Sequence, residues 1–255
     1  MPNYLRKLHE LRIFSYQDII ELTGNRSTAS SLLSAGIRKK TICRIKNNLY
    51  TVTNLSTGLS VANKYEIASA IAEDACVAYH SAMEYHGFGN QVFNDVNVMS
   101  KTAFRSFEFD GISYIRRGNS KVFGIVTPNM NSQIRVTDVE RTILDCIDRI
   151  NYAGGIEELM NNLNAIPYVN EFFLTSYIQS YAKPALYQKT GFLLSLFKNQ
   201  MHLSSAFFRL CKKNIGKSTR YLNEKEVQTE YNSEWKLCIP YSFYSLIDTG
   251  GRNNV

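Results

Sequence analysis

The chain has 255 residues, a formal net charge of +7, 44% hydrophobic and 20% charged residues. That balance is globular and excludes a wholly disordered, collagen-like or low-complexity chain, and the length suits two domains. No uncharged apolar run reaches the roughly 18 residues of a membrane helix; the best of them, residues 191–197, stops at Lys198.

The first residues enter an amphipathic pattern at once and carry no apolar core of a signal peptide, so the expected compartment is the cytoplasm, without membrane association. Five cysteines, Cys43, Cys76, Cys146, Cys211 and Cys238, are odd in number and widely spaced. They read as small apolar residues in a reducing compartment, not as a disulfide framework or a thiolate metal site. Charge is unevenly spread. Residues 1–60 hold nine Lys/Arg (Arg6, Lys7, Arg12, Arg26, Arg38, Lys39, Lys40, Arg44, Lys46) against Glu10, Asp18 and Glu21, a net +6. Residues 61–255 net only +1. A concentrated positive segment attracts a polyanion, nucleic acid above all.

In chain order, apolar residues at 4, 5, 8 and 11 predict a first helix. Ser15 caps a second, residues 16–22, with Asp18 as capping-box partner. Thr23-Gly24-Asn25 breaks it, because Gly and Asn tolerate positive φ. Ser27 caps a third helix, residues 28–35, burying Ala29, Leu32 and Leu33, with Gly36 as its terminating glycine. Two alternating runs, 41–45 and 49–52, joined by Lys46-Asn47-Asn48, predict a hairpin. Three short helices followed by a basic hairpin describe a winged helix-turn-helix over residues 1–55. Its third helix would show small polar residues (Ser27, Thr28, Ser30, Ser31, Ser34) that let a helix approach the major-groove floor. Arg26 would reach a guanine edge or a phosphate, while Arg38, Lys39, Lys40, Lys46 and Asn47 flank the groove.

Residues 53–63 read as a linker or a bridging segment. Residues 64–255 read as one α+β domain: mixed helices and strands over 64–150, mainly helical over 151–255. In the first part, a helix over 64–73, strands at 76–79 and 92–99, a helix capped by Ser81, a hairpin turning at Asp110-Gly111, a strand at 122–126 and a helix over 138–150 are expected. In the second, helical stripes run to about residue 215, Pro184 opening one of them. Trp235 and residues 241–247 read as terminal strands or extended segments. Arg209, Lys212, Lys213, Lys217 and Arg220, with no acid among them, form a possible second basic surface.

Catalytic patterns are incomplete. His80 and His86 are six apart, on different faces of a helix, and no metal-binding spacing occurs. Asp95-Val96-Asn97 lacks the second acid of a nucleotidyltransferase, which must hold two metal ions. Glu234-Trp235-Lys236 resembles the end of a nuclease site, but Asp248 follows it instead of preceding it. Glu224, Glu226 and Glu230 look like a solvated face. No cofactor, metal or catalytic residue is therefore expected; a nucleic-acid-acting enzyme targeted by the winged helix is the alternative class.

Three strings carry a resemblance: residues 16–52; Ala78-Tyr79-His80-Ser81-Ala82-Met83-Glu84-Tyr85-His86-Gly87; and Val136-Thr137-Asp138-Val139-Glu140-Arg141-Thr142-Ile143-Leu144-Asp145-Cys146, followed by Gly154-Gly155-Ile156-Glu157-Glu158-Leu159. Together they resemble the AbiEi-type antitoxins of type IV toxin–antitoxin systems, which act in abortive infection and phage defence. The resemblance implies a repressor that binds inverted repeats in the operator of its own operon as duplex DNA. It also implies an antitoxin, carried by the C-terminal domain, that counteracts a nucleotidyltransferase toxin, and a protein that is not an enzyme. The helix from Asp138 is read as structural, with Asp138 at the cap and Arg141 and Asp145 paired four residues apart.

Overall fold

A computed structural model describes residues 2–118, 121–128, 133–223 and 228–250, with side chains described over 4–246 of these. Among the described residues the chain is mixed α and β, with eleven α-helices and three sheets. The N-terminal elements are α1 (Pro2–Leu11), β1 (Ile13–Phe14), α2 (Tyr16–Thr23), α3 (Arg26–Arg38), β2 (Ile42–Lys46) and β3 (Leu49–Val52). Then come α4 (Lys64–Ala70), β4 (Cys76–Val77), α5 (His80–Tyr85), β5 (Asp95–Met99), β6 (Phe107–Phe109), β7 (Ile112–Arg117), β8 (Ile125–Val126) and β9 (Val136–Thr137). The rest is α6 (Val139–Asp148), α7 (Ile156–Ala165), α8 (Glu171–Tyr181), α9 (Pro184–Ser195), α10 (Ser205–Asn214), β10 (Arg220–Tyr221), β11 (Thr229–Asn232), β12 (Leu237–Pro240) and α11 (Tyr241–Gly250).

The chain forms two compact units. The first takes in Met1–Val77, Phe93–Lys121 and Ile125–Val136; the second takes in Ala78–Val92, Val122–Gly124 and Thr137–Val255.

In the first unit, Leu8, Phe14, Ile19, Ala29, Leu32, Ile42, Tyr50 and Val52 make one apolar core beneath the sheet β1-β3-β2. Local chemistry sets the helix ends. Ser15 Oγ accepts from Asp18 N, and Asp18 Oδ2 accepts from Ser15 N, the reciprocal cap expected from the sequence. Gly24 ends α2 at φ 78°, where a side chain would be strained. Two expectations fail here, and a third is decided between its alternatives. Asn25, not Ser27, caps α3, its Oδ1 accepting from Thr28 N at 2.8 Å. Gly36 does not end the helix, which runs on to Arg38; it is buried against β2. Of the two readings of residues 53–63, the bridging segment holds, since Thr53 bridges Ser60 and Asn54 N bonds to Leu59 O at 2.8 Å.

The larger sheet runs β6-β7-β5-β4-β9-β8, with β5 parallel to β7 and β4 parallel to β9. Asn63 and Glu66 form a second capping box on α4. Glu66 also accepts from Arg12 Nη2 at 2.9 Å, which fastens the α1–β1 corner to α4.

The second unit packs α5 to α11 with the small sheet β10-β12-β11. Asp138 caps α6 as expected, and Pro184 opens α9 at its first turn. Ser81 is not a cap. It lies inside α5, whose cap position is Tyr79 at φ 56° and ψ −138°, a strained conformation for an aromatic residue. Residues 241–247 are helical, not extended, and Trp235 sits in the turn before β12, its ring against Gly191 of α9.

Gly36 gives a clean test of the α3–β2 contact. A Cβ there would stand 2.5 Å from Ile42 Cδ1 and 2.8 Å from Cγ1. Helix propensity favours alanine by about 1 kcal/mol, whereas overpacking costs about 1–3 kcal/mol. Gly36→Ala is expected to lower stability by up to about 2 kcal/mol net, read as a reduced urea midpoint.

Candidate nucleic-acid interface

Helix α3 is presented by its neighbours. Tyr16 Oη donates to Arg26 O at 3.1 Å and fixes the start of the helix. Tyr16 N donates to Asn48 Oδ1 at 3.0 Å and ties α2 to the hairpin turn. Arg26, Ser27, Thr28, Ser30, Ser31 and Ser34 are all exposed, and the buried residues Ala29 and Leu32 hold the opposite side. The structure therefore brings the expected small polar residues onto one open helix surface. Arg38, Lys39 and Lys40 are exposed at its end, where cations also suit the helix dipole. Lys40 takes φ 57° and turns the chain into β2. A cavity of about 540 Å³ beside them is lined by Ile37, Lys39, Lys40, Arg44, Leu55 and Phe109.

The hairpin tip differs from expectation. Asn47 is exposed and accepts from Arg44 Nη2 at 2.9 Å, and Asn48 at φ 57° makes the turn. Lys46 is not a free tip cation. Its ammonium lies 5.4 Å from the Phe104 ring centroid and 3.5 Å from Ile71 O, and burial lowers its pKa. The register shift between Arg44 and Lys46 turns the side chain this way.

In the second unit, Arg209, Lys213, Lys217 and Arg220 are exposed. Lys212 is engaged, paired with Glu234 and lying 5.5 Å from the centroid of Trp235. Glu234, read as a possible nuclease acid, is thus half of a surface ion pair. Glu224 and Glu226, and the side chain of Asp248, lie outside the described residues. Asp95 and Asn97 lie on β5, where Asn97 accepts from Arg117 Nε at 2.7 Å.

The residues of the second and third strings meet in the interior. His80 Nε2 and Glu158 Oε1 are 2.9 Å apart, each side chain 2% exposed. Glu158 also accepts from the backbone N–H groups of Asn90 and Gln91, both at 3.0 Å. Burial pushes the Glu158 carboxyl up, but the bonds from Gln91, His80 and Asn90 outweigh it and hold its pKa below the usual value. Arg141 has no exposed surface and pairs with Asp145 at 3.2 Å, as the i,i+4 spacing predicts. Sequence reasoning missed the His80–Glu158 pair, since 78 residues separate them. Among the described residues no three His, Cys, Asp or Glu side chains stand together as a metal site, and no helix is long and apolar enough to cross a membrane.

No family model and no curated protein matches the chain. The fold is similar to that in the crystal structure of the RV2827C protein from Mycobacterium tuberculosis, with a TM-score of 0.66 at 13% identity. That likeness covers 94% of this chain and 89% of the other. At that identity it defines the class of fold, a mixed α+β chain of this topology.

Glu158 makes stability pH-dependent. Its folded pKa is depressed, so its contribution is present above the unfolded carboxylate value of about 4.3 and is lost as pH falls toward the folded value. Glu158→Gln is expected to destabilise the protein at pH 7 and to flatten the fall in urea midpoint between about pH 5 and pH 3. An acid limb as steep as that of the wild type would show that Glu158 is not the titrating group.

Proposed function

We propose that α1–α3 with the β2–β3 hairpin is a winged helix-turn-helix that binds duplex DNA, and that the protein represses its own operon at inverted repeats. We further propose that it is the antitoxin of a nucleotidyltransferase toxin, and not an enzyme. One observation carries the DNA-binding reading: α3 leaves a continuous open surface of Thr28, Ser30, Ser31 and Ser34 between Arg26 and the Arg38-Lys39-Lys40 cluster. Short polar side chains allow a helix backbone close to base edges, and the flanking cations answer the phosphates. Lys46 leaves the set of phosphate ligands because its ammonium is held against Ile71 and Phe104. The antitoxin part rests on the resemblance of the second and third strings. The non-enzyme reading is supported by the acids of those strings: Asp138 caps a helix, and Asp145 and Glu158 answer buried cations or donors.

Base-reading and phosphate-binding residues separate in a gel-shift titration. Arg26→Ala is expected to cost about 1–3 kcal/mol on the operator and much less on random DNA. Lys40→Ala is expected to weaken both alike and to flatten the log–log salt slope by about 0.9. Equal losses on both DNAs for Arg26→Ala would remove it from base readout, and salt-independent or absent binding would overturn the interface.

Growth rescue tests the other half. Co-expressed with the neighbouring nucleotidyltransferase, the Lys39→Ala/Lys40→Ala protein should still rescue growth while losing repression. Failure of the wild-type chain to rescue would end the antitoxin reading and leave the DNA-binding one standing.

A further inference from the structure

The loop after β3 is closed by its own hydrogen bonds. Thr53 bridges Ser60, Asn54 N donates to Leu59 O at 2.8 Å, Gly58 N donates to Asn54 O at 2.8 Å, and Ser56 N donates to Asn54 Oδ1 at 2.9 Å. The loop nevertheless holds two leucines out of the fold: Leu55 is 79% exposed and Leu59 59%. Leu55 lines a groove of about 640 Å³ together with Leu5, Arg6, His9, Glu10 and Val52, so that one wall is a face of α1 and the other the end of β3. Single exposed apolar residues are ordinary on a protein surface. Two of them on one hydrogen-bonded loop, beside a groove with apolar residues of its own, make a patch. The groove, Leu55 and Leu59 all belong to the first unit.

Charge and shape say what can cover it. Residues 1–60 net +6, so two copies repel each other wherever their Lys/Arg meet. At this groove the charge is balanced: Arg6 and Glu10 lie one turn apart on α1, with Nε and Oε1 at 3.4 Å. A twofold axis across α1 sets the helices of two copies antiparallel, and each Arg6 can then face the other copy's Glu10. The apolar shape is self-complementary in the same way. A protruding leucine and an apolar groove stand side by side on one face, so each copy offers the knob that the other copy's groove takes. We propose that the α1 groove with Leu55 and Leu59 is a twofold interface between two copies of this chain. The proposal rests on the DNA-binding reading only for the use of the dimer, which would seat two copies of α3 on the half-sites of an inverted repeat. The association itself is tested without DNA.

The experiment is sedimentation equilibrium of the full chain without DNA, from about 1 µM to about 100 µM protein in about 0.15 M salt. The average mass is expected to rise from the 29.1 kDa of one chain toward twice that value. Leu55→Ser/Leu59→Ser should raise the dimer Kd at least about 100-fold, because the twofold axis removes four buried leucines at once. Both side chains are exposed in the single chain, so this variant should melt as the wild type does. Leu196→Ser, at an exposed leucine of the second unit, should dimerise as the wild type does. A wild type that stays monomeric over this range, one that grows past a dimer, or a dimer untouched by Leu55→Ser/Leu59→Ser would overturn the proposal. Gel shift on a duplex carrying one half-site keeps the two readings apart. Leu55→Ser/Leu59→Ser should bind it as the wild type does, whereas loss of half-site binding with unchanged melting would assign this face to DNA and overturn the interface. Absence of DNA binding in wild type and variant alike would end the DNA-binding reading and leave the dimer standing.

Discussion

A guanidinium with no exposed surface cannot shed its charge, so the groups around it have to answer it. Arg141 is that group, and much of the second unit is arranged to do so. Its Nε donates to Asp145, another N–H donates to Phe123 O, and its face lies 5.1 Å from the Phe123 ring centroid. Tyr181 Oη donates to Asp145, whose carboxyl is pushed up by burial and drawn back by Arg141 and Tyr181. Phe123 stacks on Tyr177, and Tyr177 Oη donates to Asp138, the residue that caps the helix carrying Arg141. One buried charge thereby draws α6, α8 and residues 122–124 together. Gly124, at φ 59°, lets the backbone approach, since a Cβ would stand 2.9 Å from Arg141 Cβ. Removing one partner of such a pair costs about 3–5 kcal/mol, because the other charge stays buried.

This arrangement agrees with the structural reading of the acidic string of α6. Asp138 and Asp145 lie seven residues apart on one helix and invite a catalytic reading. Asp138 is occupied by Arg141 N and Tyr177 Oη, Asp145 by Arg141 and Tyr181. Glu140 accepts from Asn170 N at 2.7 Å and so fastens the start of α8. Each carboxylate has a structural partner, and a side chain so committed must give up stabilising bonds before it can hold a metal ion or a substrate proton.

What could be read in advance follows the range of the interaction. The Ser15–Asp18 capping box, the Gly24 stop, the Asp138 cap and the Arg141–Asp145 pair are contained within a few residues, and their spacing alone determines them. Most of the candidate DNA surface belongs to this kind, because exposure of Thr28, Ser30 and Ser31 follows from burial of Ala29 and Leu32 on a 3.6-residue period. Gly36 was not legible. A glycine at the end of a helix and a glycine admitting a neighbouring strand look alike until Ile42 is known to lie against it. Gly191 is the same case on a larger scale, since a side chain there would overlap the Trp235 ring. Lys46 ends an alternating basic run and reads as solvated; only the fold supplies Phe104 and Ile71. His80–Glu158 depends on a separation in sequence that no local pattern spans.

Charge bookkeeping carries a related lesson. Residues 61–255 net +1, yet residues 183–223 within them hold eight cations and no acid. Their compensating acids lie elsewhere along the chain. Coulomb interactions between exposed groups fade over roughly 10 Å in physiological salt, so a balance struck over two hundred residues says little about the field at any one surface. In the second unit Lys183 pairs with Asp148 and Lys212 with Glu234, acids that lie outside the 183–223 stretch. On α3 the cations flank an open helix surface, which a long polyanion can follow.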